Sequence, residues 1–184
     1  MIYRILILIL FSSCGKIDLD SHTTYTIEKG RHSSGNRFDL LTTKDLEFTV
    51  EFDESAIYKN IIKDNQRDIN KLYGFSECNQ KHQDNSARFG WRWYKGSLEI
   101  HAYVYNNGIR FSKFVENINL NTQHDLKIIV NKYSYTFTVN NASVNMNRTN
   151  KCSTGAYYML YPYFGGDEVA PHDINIIITE KRSR

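Results

Sequence analysis

Apolar and polar residues alternate with a period of two along most of this chain, the pattern of strands with one face buried. Leu46, Phe48, Val50 and Phe52 interleave with Glu47, Thr49, Glu51 and Asp53, and Tyr25 and Ile27 interleave with Thr24 and Thr26. Asp173 to Thr179 forms a last strand that buries Ile174, Ile176 and Ile178. Further strands are expected at Phe38 to Thr42, at Leu72 to Phe75 and, rich in tyrosine, at Ala156 to Phe164. Ser55 to Ile62 is a weaker apolar run, Lys63 to Asn70 is charged without a clear period, and Ser76 to Asn85 reads as a long surface loop.

Turn chemistry supports the same reading. With Lys95-Gly96 as a two-residue hairpin turn, Trp93 falls opposite Leu98, Trp91 opposite Ile100 and Phe89 opposite Ala102, which makes an apolar core face. That register sets Arg92 opposite Glu99, Gly90 opposite His101 and Arg88 opposite Tyr103 on the other face. A second turn around Asn106-Asn107-Gly108 can close in two registers, and both bring Arg110 and Ser112 beside Tyr103 or its neighbours. Farther along, turns at Lys132-Tyr133 and Asn140-Asn141 align Leu126, Ile128 and Val130 with Val139, Phe137 and Tyr135, and these with Ala142, Val144 and Met146. Roughly a dozen short strands at regular spacing predict an all-β fold, an antiparallel β-sandwich of the jelly-roll type.

The 184 residues, 41% of them hydrophobic, suit one domain, taken as residues 22–184. With 23 basic against 20 acidic residues, scattered along the chain, the net charge of +3 points away from a nucleic-acid partner. Arg4 precedes an apolar run of seven, Ile5 to Phe11, which is too short for a bilayer span of about 20 residues. The run ends in Phe11-Ser12-Ser13-Cys14, which resembles the signal of bacterial lipoproteins. The resemblance implies a signal peptide over residues 1–13, a lipidated Cys14, a tether over residues 14–21 and a membrane anchor in the outer membrane of a Gram-negative envelope. Cys78 and Cys152 then remain, an even pair that a disulfide can join in an exported chain; spacing alone does not show whether their Cα atoms meet.

The polar face of the central hairpins carries the candidate chemistry. Arg88, Arg92, His101, Tyr103, Tyr105, Arg110 and Ser112 suit a polysaccharide: rings stack on sugars, Arg forks pair with uronate or sulfate, and Gly90 leaves room opposite His101. The structural alternative is an Arg92–Glu99 cross-strand ion pair among ordinary surface residues. Arg88-Phe89-Gly90-Trp91-Arg92, Glu99-Ile100-His101 and Tyr163-Phe164-Gly165-Gly166 are similar, in order, to the three signature strands of alginate-lyase-type jelly rolls, relatives of the concanavalin A-like fold. That family has an acid where this chain has Gly90 and a glutamine where it has Glu99, and a Lys and later Tyr that Gly165-Gly166-Asp167 does not reproduce. In that family Arg and glutamine neutralise a uronate carboxylate while His and Tyr move protons, and Arg88, His101 and Tyr163 sit at matching positions; with the face they share, the catalytic candidates of a β-eliminating polysaccharide lyase are Arg88, His101 and Tyr103, with Arg92, Tyr105, Arg110 and Tyr163 on the substrate. Glu99 opposes a substrate carboxylate unless Arg92 pairs with it, so binding ranks above catalysis. A third reading is an assembly protein that contacts envelope partners through its Tyr-rich strands. No cofactor is called for. Asp167, Glu168 and Asp173 are oxygen donors suited to calcium, but calcium takes six to eight oxygens and their spacing fits no recognised loop, so no metal site is assigned. His22, His32, His82 and His124 receive no role.

Overall fold

A computed structural model describes residues 22–35, 38–41, 45–150, 152 and 157–181. The expected signal peptide, Cys14 and the expected tether lie outside the described residues. The strands, in chain order, are β1 (His22–Ile27), β2 (Leu40–Leu41), β3 (Asp45–Phe52), β4 (Asn70–Ser76), β5 (Ser86–Tyr94), β6 (Ser97–Asn106), β7 (Ile109–Ile118), β8 (His124–Val130), β9 (Ser134–Val139), β10 (Ala142–Asn147), β11 (Tyr157–Leu160) and β12 (Ile174–Glu180). One antiparallel sheet has the order β1-β12-β3-β8-β9-β10 and the other β2-β11-β4-β5-β6-β7. Single-turn 3-10 segments at Glu54–Ala56 and Lys63–Arg67 occupy the stretch between β3 and β4 that lacks a clear period. Among the described residues no helix is long and apolar enough to cross a membrane.

The hairpin registers follow from the sequence. Trp93, Trp91 and Phe89 face Leu98, Ile100 and Ala102, and Arg92, Gly90 and Arg88 face Glu99, His101 and Tyr103. Between β6 and β7 the turn is Asn107-Gly108, both with positive φ, which fits the right-handed twist of the flanking strands. That choice pairs Tyr105 with Arg110 and Tyr103 with Ser112. The sheets meet through aromatic rings: Phe48 lies 5.9 Å from Phe89, Phe52 5.1 Å from Trp91, and Phe89 5.2 Å from Phe137. All five are fully buried, and each such side chain is worth about 1.5–3 kcal/mol of transfer free energy.

Three local expectations change. The strand expected from Phe38 to Thr42 shortens to Leu40–Leu41, a sheet-edge pair with β11 alone, and Phe38 stands 77% exposed; Thr42 is outside the described residues. The Tyr-rich strand stops at Leu160. Pro162 follows, which has no N–H to donate to a ladder, and Tyr163 returns only through two isolated bridges, to Lys71 and to Ser33. The stretch from Ser76 to Asn85 is not wholly a surface loop. Ser76 belongs to β4, Asn85 is buried, and Glu77 is fully buried, held at 2.6 Å by Arg148. Cys78 and Cys152 are joined in a disulfide with Cα atoms 6.3 Å apart.

Candidate functional site

The outer face of the second sheet carries side chains in rows across its strands. The central row runs Tyr163, Lys71, Gly90, His101 and Phe114, each paired with the next. A second row runs Gly74, Arg88, Tyr103 and Ser112, and a third Ser86, Tyr105 and Arg110. Alternation along each strand, with the registers set by the turns, gathers these residues from four strands and one bridge.

This face is not the open platform that alternation suggests. Arg88 is 6% exposed, His101 5% and Tyr103 2%. Gly90 leaves no open gap opposite His101 either, because a Cβ there would collide with Ile69 Cγ2 and come up against the Asn70 carbonyl. At Gly74 an added Cβ would strike Arg88 Cα and Cβ and the Ala87 carbonyl, so glycine lets β4 and β5 close tightly beneath the site.

Arg88 is the floor of the site. Its guanidinium carbon lies 5.5 Å from the Tyr103 ring centroid, its Nε is buried without a partner, and no carboxylate among the described residues pairs with it. Burial first, opposed by Tyr103, Tyr105 and Tyr163, pulls its pKa down to about 10, which leaves it a cation at neutral pH. Lys71 Nζ stands 5.7 Å from both the Tyr103 and Tyr163 rings. Burial, then repulsion from Arg88 and Arg110, lowers it to about 8 against a weaker pull from Asp68. Nothing in the strand pattern distinguishes Lys71, since its bulged register with β5 and its bridge to Tyr163 are tertiary facts.

Glu99 ties the next part together. Its Oε2 accepts Arg92 Nε at 2.6 Å and lies 2.9 Å from His101 Nε2. Arg92 also donates Nη1 to the Arg67 carbonyl at 2.6 Å and stacks 4.5 Å from the Tyr94 ring, so its Nε and Nη1 are engaged within the protein. Burial first, with Arg92 adding and Glu99 opposing, lowers His101 below the ordinary histidine value. In the neutral ring the Nε2 proton goes to the carboxylate, and Nδ1 is left as the basic nitrogen. Tyr105 meets Tyr103 edge-on at 5.9 Å. Burial, with Tyr105, raises the Tyr103 phenol; Arg88 and Arg110 work against that rise.

The structure therefore brings Arg88, His101, Tyr103, Tyr105, Arg110 and Tyr163 onto one face and pairs Arg92 with Glu99. It adds Lys71 and two histidines that had no role. His32 stacks flat on Tyr163 at 5.2 Å and its Nδ1 lies 2.9 Å from the Phe164 carbonyl. His82, exposed, is lowered by partial burial and then by Arg88, with Lys71 acting in the same direction and Asp84 in the other. Glu168 is occupied as a hydrogen-bond acceptor for the Ile61 and Ile62 amides and Asn65 Nδ2, and Asp173 accepts the Lys29 amide. Among the described residues, no group of three or more His, Cys, Asp or Glu is placed to hold a metal ion.

No family model and no curated protein sequence matches the chain. Solved structures do resemble it. The alginate lyase AlyC3 superposes over 86% of this chain and 73% of its own, at 10% identity and a TM-score of 0.59. The fold is a jelly roll. The GH16 protein of the Bacteroides ovatus mixed linkage glucan PUL, solved with a G4G4G3G product, matches over 91% of this jelly roll and 84% of its own chain, at 10% identity and a TM-score of 0.51. SCLam, a non-specific endo-β-1,3(4)-glucanase of family GH16, matches over 80% of this chain at 8% identity and a TM-score of 0.52, and the jelly roll spans 62% of that enzyme's length.

Proposed function

We propose that the protein binds a polysaccharide along the outer face of the β4–β7 sheet, and that it does so as a lipid-anchored protein of a bacterial outer membrane. The observation that carries the reading is Arg88, a buried cation whose Nε has no partner and which is flanked by tyrosine rings. Leaving a buried polar group unsatisfied costs about 1–3 kcal/mol, more for a charged one, and a ligand acid group that accepts from it removes that cost. The exposed aromatic groups on the same face, Tyr163 and Phe114, offer ring surfaces to sugars. That the structurally similar proteins include an alginate lyase and two GH16 proteins agrees with a carbohydrate ligand.

The test is to incubate the full-length protein with uronate-containing and neutral polysaccharides and follow both by size-exclusion chromatography. Co-elution with a polymer, lost in the Arg88→Ala, Tyr103→Ala double variant, supports the reading; co-elution unchanged in that variant sinks it. Anchoring is tested separately by the mass of the mature N-terminus, which acylation of Cys14 raises and a Cys14→Ser substitution returns to the unmodified value.

A second reading, a β-eliminating lyase, is favoured by the Glu99–His101 contact, which fixes the ring and leaves Nδ1 as a base. In that reaction Arg88 neutralises a uronate carboxylate and so acidifies the adjacent C–H. His101 removes that proton, electrons move into the new C=C bond, and the glycosidic oxygen departs with a proton from Tyr103 or Tyr163. Shortened chains with an unsaturated end group, absent in His101→Ala while binding persists, would establish it. Intact chains leave a binding protein, and a stoichiometric protein partner without glycan affinity would make this an assembly protein instead.

A further inference from the structure

Four Lys or Arg side chains among the described residues are held by carboxylates. Arg92 is held by Glu99, Arg148 by Glu77, Lys127 by Glu47, and Lys181 by Asp125. On the proposed ligand-binding face Lys71, Arg88 and Arg110 have no carboxylate within ion-pair distance among the described residues, and the two arginines lower the proton affinity of Lys71. Two of the three point at a single ring, with Lys71 Nζ 5.7 Å and the Arg88 guanidinium 5.5 Å from the Tyr103 centroid, and Arg110 is paired one row away with Tyr105. The space Lys71 uses is made by Gly165, where a Cβ would overlap its Nζ. The nearby acids, Asp68 and Asp84, act on Lys71 and His82 only at a distance.

Like charges gathered around one ring repel, and more strongly near a protein surface than in water. One ligand carboxylate offsets one of these charges and leaves two unbalanced. Two acid groups bring the cluster close to neutrality, and the planar Arg88 and Arg110 forks suit sulfate as well as they suit carboxylate. We propose that the polymer accepted here carries two acidic groups close together, a sulfated uronic-acid chain rather than one with a single carboxylate per sugar. This rests on the polysaccharide reading above and names the substrate class within it.

The experiment uses one backbone in four forms. Full-length protein in detergent is titrated calorimetrically with polymannuronate, with the same polymer chemically sulfated, with the sulfated polymer after carboxyl reduction, and with a neutral β-glucan. The expected result is that the sulfated polyuronate binds tighter than either single-acid form by about tenfold or more, since each tenfold is one strong ionic contact. Lys71→Met should lower affinity for the sulfated polyuronate by a larger factor than it lowers affinity for the parent polymer, and so erase most of that preference. Arg110→Met, at an exposed position of an edge strand, should do the same and covers the case in which the Lys71 variant fails to fold. Equal affinity for the parent and sulfated polymers overturns this proposal and leaves the polysaccharide reading standing. Binding no tighter than to the neutral glucan overturns this proposal too, and no binding to any form overturns both.

Discussion

At the scale of single residues, protonation of Lys71 controls the charge of the site. Its pKa near 8 reflects burial and the Arg88 and Arg110 charges, with Asp68 alone opposing and the Tyr103 and Tyr163 rings packed beside it. Affinity for an anionic polymer should therefore be full below pH 8. It should fall by up to about tenfold per pH unit above that value, until the pKa of the complex, raised by the bound anion, is passed. Lys71→Arg, a cation at every accessible pH, should flatten the fall; binding that stays constant from pH 7 to 10 in the native protein would remove Lys71 from the site. His101 and His82 act in the opposite direction, and on stability. Both have folded pKa values lowered below the usual 6.5, so the unfolded chain binds protons more readily. Their contribution is present above pH 6.5 and is lost as pH falls through that value toward their folded pKa values. Urea midpoints measured between pH 7.5 and 5 should decline, and His101→Gln should decline less.

At the scale of elements, the site depends on how closely β4 approaches β5. Gly74→Ala places a methyl group against backbone and Cβ atoms that have no other rotamer to take, so it should destabilise by about 1–3 kcal/mol and shift Arg88. Equilibrium unfolding reads the first effect and polysaccharide affinity the second; native stability in the Gly74→Ala variant would mean that the two strands can part. The approach itself cannot be read from the chain, whereas the hairpins can. Period two and the Lys95-Gly96 turn place Arg88 opposite Tyr103, because register in a two-residue hairpin is local. Lys71 is 17 residues from Arg88 along the chain and reaches it through a bulged pairing, and Tyr163 arrives from near the C-terminal end through its bridge to Lys71. Neither contact leaves a mark in local alternation. Burial of the face escapes the pattern for the same reason: alternation shows that Arg88 and Tyr103 point away from the core, and tertiary neighbours decide what then covers them.

At the scale of the molecule, one end of the sandwich is fastened twice. The Cys78–Cys152 disulfide and, one residue before Cys78, the Glu77–Arg148 ion pair both connect the segment after β4 to the segment after β10, and so join the two sheets. Arg148 completes the joint by donating to the carbonyls of Asn131 and Cys152 at 3.1 and 2.8 Å. The disulfide closes a separation of 74 residues, and loops of that size gain about 2–4 kcal/mol from such a link. Removing one partner of a buried ion pair costs about 3–5 kcal/mol, because the remaining charge stays in a low-dielectric interior. Cys78→Ser with Cys152→Ser should thus lower the melting temperature by about 5–15 °C. Glu77→Ala should do at least as much, and Glu77→Gln less, since the amide still accepts from Arg148. The segment that carries Glu77 and Cys78 runs on to His82 and, through the Asn85 carbonyl bonded to the Glu77 amide, into β5 and Arg88. Reduction of the disulfide should consequently weaken polysaccharide binding at temperatures well below unfolding. If the reduced protein binds with native affinity while its melting temperature drops, the fastening serves the fold alone and the ligand-binding face is held by β5 and β6.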